Sequence, residues 1–203
     1  MRSVVIVIAV LSATTSIWPV AVRAQAAAST PDHVARDVAV FAALLNHPSI
    51  RKTSERPGLV VVQDIAPQSS LRIDGPQAEE RLRRFLRKPE PKTLDEFLRV
   101  VRQEGELPTE LRQVPGVVLV GRAELERRLE APGRDYWQLF ARYFPKSSGI
   151  VSLSRIAYNE SGNEAMAYLA FSCGLLCGHG LAVVLQQFDG RWTVVEHMYL
   201  WES

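Results

Sequence analysis

Apolar residues recur along this chain in two periods, one helical and one extended, and the last third of the chain switches to the second. Val34, Val38, Phe41 and Leu45 fall at helical spacing after Thr30-Pro31-Asp32, and Asn46-His47-Pro48 stops that helix. Leu59-Val60-Val61-Val62 is β-branched and too short for a helix, so it predicts a buried strand over 59–65. A second helix follows Asp74-Gly75-Pro76, with Ala78, Leu82, Phe85 and Leu86 on one face, and Pro89 and Pro91 end it. Thr93-Leu94-Asp95-Glu96 reads as a capping box opening a third helix, which buries Leu94, Phe97, Leu98 and Val101 and closes at Gly105. A short strand over 117–120 and helices over 122–130 and 134–144 follow, the last burying Tyr136, Leu139, Phe140 and Tyr143.

Beyond that point alternation takes over. Residues 150–158, 165–171, 181–188 and 192–201 read as four strands, with a polar turn at 159–163 and an Asp189-Gly190 hairpin between the last two. Short connections of this kind make an antiparallel meander. The expected class is therefore α+β: N-terminal helices and short strands, then a four-stranded meander with helices packed on one face.

The first residues break both patterns. Arg2 precedes an unbroken apolar run from Val4 to Leu11, and Val22-Arg23-Ala24 offers small residues at the −3 and −1 positions before Gln25. That order is a secretory signal peptide over 1–24, removed on export. Thr14, Thr15, Ser16 and Pro19 interrupt the stretch, so a lasting membrane anchor is not expected. A disordered tail over 25–30 and a single domain over 31–203 complete the organisation. The expected location is the periplasm or the exterior.

Without the leader the chain has 22 basic and 22 acidic groups, since Arg2 and Arg23 account for the formal +2. A neutral chain lacks the electrostatic footprint of a nucleic-acid binder. Charge is nevertheless uneven: residues 79–102 hold eight Arg or Lys against five Asp or Glu, and residues 150–203 hold two against five. A solvated helix face accounts for the basic stretch.

One resemblance is carried by Tyr136-Trp137, Tyr143-Phe144-Pro145-Lys146-Ser147-Ser148-Gly149-Ile150, Leu153-Ser154-Arg155-Ile156, Ala165-Met166-Ala167-Tyr168, Cys173, Cys177-Gly178-His179-Gly180 and Trp192 through Leu200-Trp201-Glu202-Ser203. Over about residues 134–203 the chain resembles an exported bacterial protein family without an assigned function. That likeness implies export and fold continuity, and it carries over no catalytic residue. A helix before a curved antiparallel meander is also similar, at the level of fold alone, to cystatin-like and NTF2-like domains, which host many unrelated functions.

Cys173 and Cys177 are the two cysteines, and an even count in an exported chain favours a disulfide. The competing reading places a soft metal such as copper, or thiol redox chemistry, on Cys173, Cys177 and His179. The spacing departs from copper-carrier, haem and Cys-x-x-Cys patterns, and no metal and no cofactor is expected. Glu196 and His197, adjacent on a strand, point to opposite faces. His197 is grouped with Thr193, Val195, Tyr199 and Trp201, and Glu196 with Trp192, Val194, Met198 and Leu200, where a carboxylate could act as an acid. Asp64 lies at a strand end, a common ligand position in parallel sheets, although this sheet is expected not to be parallel. Ser154 and Arg155 complete the candidate pocket residues. No nucleophile elbow or phosphate-binding loop surrounds any of them.

Three readings stay open: a non-catalytic module binding a protein or small-molecule partner, a periplasmic hydrolase assembled from Asp64, Ser154, Arg155, Glu196 and His197, and a copper or thiol-redox protein. No catalytic residue is assigned.

Overall fold

The computed structural model describes residues 31–48, 59–66, 76–130 and 135–203. The leader over 1–24, the tail over 25–30, the Thr30 cap and the Asp74-Gly75 turn lie outside the described residues. Helices α1 (Pro31–Leu45), α2 (Pro76–Phe85), α3 (Pro91–Val100), α4 (Arg122–Leu129) and α5 (Tyr136–Tyr143) accompany strands β1 (Leu59–Gln63), β2 (Ile65–Ala66), β3 (Gly105–Glu106), β4 (Val117–Val120), β5 (Ser147–Leu153), β6 (Ala157–Tyr158), β7 (Glu164–Gly174), β8 (Cys177–Phe188) and β9 (Arg191–Glu202).

The α+β class stands, and the sheet is wider than a four-stranded meander. Seven strands pair in the order β4-β1-β5-β7-β8-β9, with β6 beside β7, while β2 and β3 form a separate two-stranded ribbon. β1 runs parallel to both β4 and β5, and the remaining pairings of the large sheet are antiparallel. The Val60-Val61-Val62 run explains the parallel part: Val60 and Val62 enter one core and Val61 the other, so both faces are covered and no polar alternation is possible. Hydrophobicity marks such a segment as a strand but does not choose its partner.

Helices cover both faces, not one. In β7, Ala165, Ala167, Leu169 and Phe171 pack towards α1, which contributes Val40, Phe41, Leu44 and Leu45. The alternate residues Met166, Tyr168 and Ala170 meet Leu82 and Leu86 of the α2 segment and Leu94, Phe97 and Leu98 of α3. α4 and α5 bury Leu125, Leu129, Leu139 and Phe140 against Val61, Val120 and Ile150. All eight residues from Glu164 to Phe171 are buried. A strand sealed on both sides needs two helical layers, which a meander seen only as a sequence of strands does not reveal.

Several local expectations are corrected. α3 begins at Pro91 with Glu90 as its N-cap, so Thr93 lies inside the helix, buried, with Oγ1 unbonded. Pro at the first helical position fixes φ without needing a capping hydroxyl, and Glu96 pairs with Arg99 in place of an orphan backbone donor. That helix ends at Val100, and Gly105 belongs to β3. Tyr136 and Tyr143 are 37% and 45% exposed, leaving Leu139 and Phe140 to anchor α5.

The hairpin expectation holds at Asp189-Gly190, where both residues have positive φ, 47° and 76°. This is the backbone a two-residue turn needs to match the twist of its strands. Cys173 and Cys177 are joined by a disulfide that closes the β7–β8 tip, with Cα atoms 5.1 Å apart. Among the described residues, no helix is long and apolar enough to cross a membrane.

Candidate functional site

The five sequence candidates do not converge. Asp64 follows β1, a strand parallel to its neighbours, contrary to the expectation for this sheet, yet its carboxylate is committed to the fold. Its Oδ1 accepts from the Arg122 backbone N–H at 3.0 Å, supplying the first turn of α4 with a cap that Gly121, lacking a side chain, cannot provide. Ser154 is buried where β5 ends. Its Oγ donates to the Arg155 carbonyl at 2.7 Å and accepts from the Tyr168 N–H at 2.9 Å, so it completes a ladder and is no nucleophile awaiting a base. Glu196 accepts from the backbone N–H groups of Arg87 and Lys88, the latter at 2.8 Å, tying the segment after α2 to β9.

His197 sits on the other face, edge-on to His47 with centroids 5.1 Å apart. The grouping expected from simple alternation fails here because the β8–β9 register shifts twice. Trp192 and Val194 pack with the α1 core, on the side of His197, whereas Val195 and Trp201 join the core under α2 and α3. Each bulge flips the strand's inside–outside assignment. From β1 to β9 there are four inter-strand steps, about 19 Å at the usual spacing, so Asp64 and His197 cannot share a reacting atom.

Arg155 alone of the five lines a cavity described here. It has a volume of about 570 Å³ and lies between the first half of α1, the segment 106–110 and the connection from β5 to β6. From α1 come His33, Arg36, Asp37 and Phe41, spaced so that they share one helix face. The same helix anchors itself through Val40, Phe41, Leu44 and Leu45, which fixes the height of the polar residues over the sheet. Glu106, Thr109 and Glu110 form the opposite wall, held by Leu107 and Leu111 in the core. Arg155, Ile156 and Tyr158 close the third side.

Within this cavity one cluster is tightly connected. The Tyr158 hydroxyl donates to Asp37 Oδ1 at 2.7 Å. Arg36 stacks its guanidinium 3.8 Å from the Tyr158 ring centroid and donates to His33 Nδ1 at 3.0 Å. Its Nε is buried without a hydrogen-bond partner. Gly162, with φ of 72°, lets the 159–163 turn approach: a Cβ there would lie 2.9 Å from an Arg36 terminal nitrogen. Arg155 lies across Gly105 and donates to Gln103 Oε1 at 2.9 Å.

Burial raises the Asp37 pKa, opposed by the Tyr158 hydrogen bond and by the charges of Arg36, His33 and Arg155. Burial also raises the Tyr158 pKa far above its usual range, reinforced by the hydrogen bond to Asp37, so the phenol stays protonated. Two guanidiniums thus face one internal carboxylate. Glu106 and Glu110 stand at the other wall with no ion pair among the described residues.

Sequence reasoning missed Arg36, Asp37 and Tyr158. Arg36 and Asp37 look like the polar side of an amphipathic helix, and only the packing of α1 brings them to a tyrosine 121 positions away from Asp37. Among the described residues, no group of three or more His, Cys, Asp or Glu side chains is placed to hold a metal ion. While the disulfide stands, neither Cys173 nor Cys177 offers the thiolate that copper or thiol exchange requires. No protein-family model, curated protein or solved structure matches this chain.

Proposed function

We propose that this is an exported, non-catalytic binding module whose ligand sits in the cavity between α1, the 106–110 segment and Arg155–Tyr158. The observation that carries the reading is the lining itself: the Arg36 guanidinium, stacked on Tyr158, and Arg155 border one cavity with the Asp37–Tyr158 hydrogen bond. A volume of about 570 Å³ suits a small molecule, and Phe41, Leu107 and Ile156 supply apolar walls for its body.

Two features favour binding over hydrolysis. Tyr158 is held as a protonated donor, the opposite of an activated nucleophile, and Ser154 is enclosed in backbone hydrogen bonds. Export is supported by the disulfide, which persists in oxidising compartments, and agrees with the leader and with the family likeness of residues 134–203.

Crystals of the protein soaked with a small-fragment mixture test the site. Density against Arg36 and Tyr158 is the expected result, and fragments bound only elsewhere overturn it. Mass spectrometry of protein recovered from the cell envelope tests export. A chain shortened by residues 1–24 and two hydrogens lighter than the dithiol supports it; an intact, reduced precursor sinks it.

A further inference from the structure

Resting on that assignment of the cavity, we infer that the ligand is a zwitterion with an apolar middle, a free short peptide or apolar amino acid. Its carboxylate would lie at Arg36 and Arg155, and its ammonium at Glu106 and Glu110.

The charges in the cavity are separated by wall. Arg36 on α1 and Arg155 on the β5–β6 connection both act on Asp37, which already receives the Tyr158 hydroxyl, and Arg155 acts on Glu96 as well. Among the residues lining the cavity, that part carries two guanidiniums to one carboxylate. Planar guanidinium groups match a carboxylate's two oxygens, which favours this anion over a spherical one. The opposite wall carries Glu106 and Glu110, whose nearest side-chain bond is the Thr109 hydroxyl to Glu110 at 3.4 Å. Arg155 crosses Gly105, immediately before Glu106, yet it bonds Gln103 and forms no ion pair with Glu106.

A polyanion such as a nucleotide would meet the two glutamates, and a simple cation would meet the two arginines. A molecule with one charge of each sign at its two ends meets neither penalty. Phe41, Leu107, Pro108 and Ile156 line the same cavity and suit aliphatic side chains.

The test uses leucyl-leucine in four forms: free, N-acetylated, C-amidated and blocked at both ends. Each is titrated into protein with its disulfide intact, and backbone amide shifts of Arg36, Asp37, Glu106 and Ile156 are followed by NMR. The free dipeptide should bind tightest. Amidation should weaken it roughly tenfold, as expected for losing a charge-assisted hydrogen bond, and acetylation roughly threefold, because the glutamates are exposed. Arg155→Gln should abolish most of the amidation penalty and leave the acetylation penalty, and the Glu106→Gln, Glu110→Gln double variant should do the reverse.

Equal binding of the doubly blocked form in the cavity overturns the zwitterion assignment and leaves the cavity a ligand site. Silence from all four forms also overturns the assignment, and if soaked fragments avoid the cavity as well, the binding reading falls with it.

Discussion

The two faces of the sheet treat their polar residues differently. On the α2–α3 face most polar groups near the core are spent within the fold, with the buried Thr93 Oγ1 an exception. Glu196 holds the Arg87 and Lys88 N–H groups, Glu164 accepts from the Glu90 N–H at 2.8 Å and from Gln186, and Asn159 Oδ1 takes the N–H groups of Asn163 and Glu164. The Trp201 indole donates to the Tyr168 hydroxyl at 2.6 Å, an approach that requires Gly180, since a Cβ there would overlap the indole nitrogen. Over α1 the balance differs: Arg36 Nε has no partner, and Glu106 and Glu110 form no ion pair among the described residues. Polar chemistry that is fully used builds a fold; polar chemistry left over beside a cavity is available to something else.

That contrast can be broken by substitution. The largest effect should come from the sheet itself: Phe171→Ala empties a fully buried aromatic site and should cost about 3–5 kcal/mol, read from urea unfolding. A loss below about 1 kcal/mol would mean that the core is not packed as described. Ser154→Ala leaves the Tyr168 N–H without its acceptor and should cost about 1–3 kcal/mol. If Ser154 instead served a reaction, the variant would unfold at the wild-type urea concentration.

Replacing both Cys173 and Cys177 by Ser should lower stability by roughly 2 kcal/mol, or about 4–8 °C in Tm, because the closed loop is short. An unchanged melting curve would deny the bridge a structural role.

The next effect is one of pH. Burial lowers the pKa of His179, opposed by Glu202, and that of His47, where the charge of His197 adds to the effect. A histidine whose folded pKa lies below the unfolded value binds fewer protons when folded, so stability rises with pH through that window and is lost as pH falls below about 6.5. His179→Gln should flatten part of the decline in Tm between pH 7 and 5. A variant that keeps the wild-type slope assigns it elsewhere.

The smallest stability changes belong to the cavity. Glu106→Gln and Arg155→Gln should stay within about 0.5 kcal/mol of wild type, since both side chains are exposed. Asp37 has the opposite sign from the histidines: its raised pKa means that stability falls as pH rises through and above the usual carboxylate range. Asp37→Asn should therefore gain on wild type as pH increases, in parallel denaturation series. A loss of several kcal/mol in any of these three would move the cavity to the structural side of the comparison.

Much of this architecture was legible before any coordinates. The apolar spacing of Val34 to Leu45 marks α1, the Val60–Val62 run marks a strand covered on both sides, and Asp189-Gly190 marks its hairpin, because each depends on backbone geometry set by neighbours a few residues away. The disulfide was expected from an even pair of cysteines in a chain read as exported, and the pair is bridged. The sequence also named Arg155 as a candidate pocket residue, and Arg155 lines the cavity.

Tertiary structure alone decided the rest. Parallel pairing of β1 with β4 and β5 joins segments far apart in the chain, and bulges in β8–β9 reassign Trp192, Val194, Val195 and Trp201 to faces that strict alternation gives wrongly. Asp64, Ser154 and Glu196 look reactive as letters and prove to be occupied, whereas Arg36, Asp37 and Tyr158 look ordinary and come together. The physical reason is that a polar group's availability depends on which donors and acceptors surround it after folding, and those neighbours are set by long-range packing rather than by local sequence.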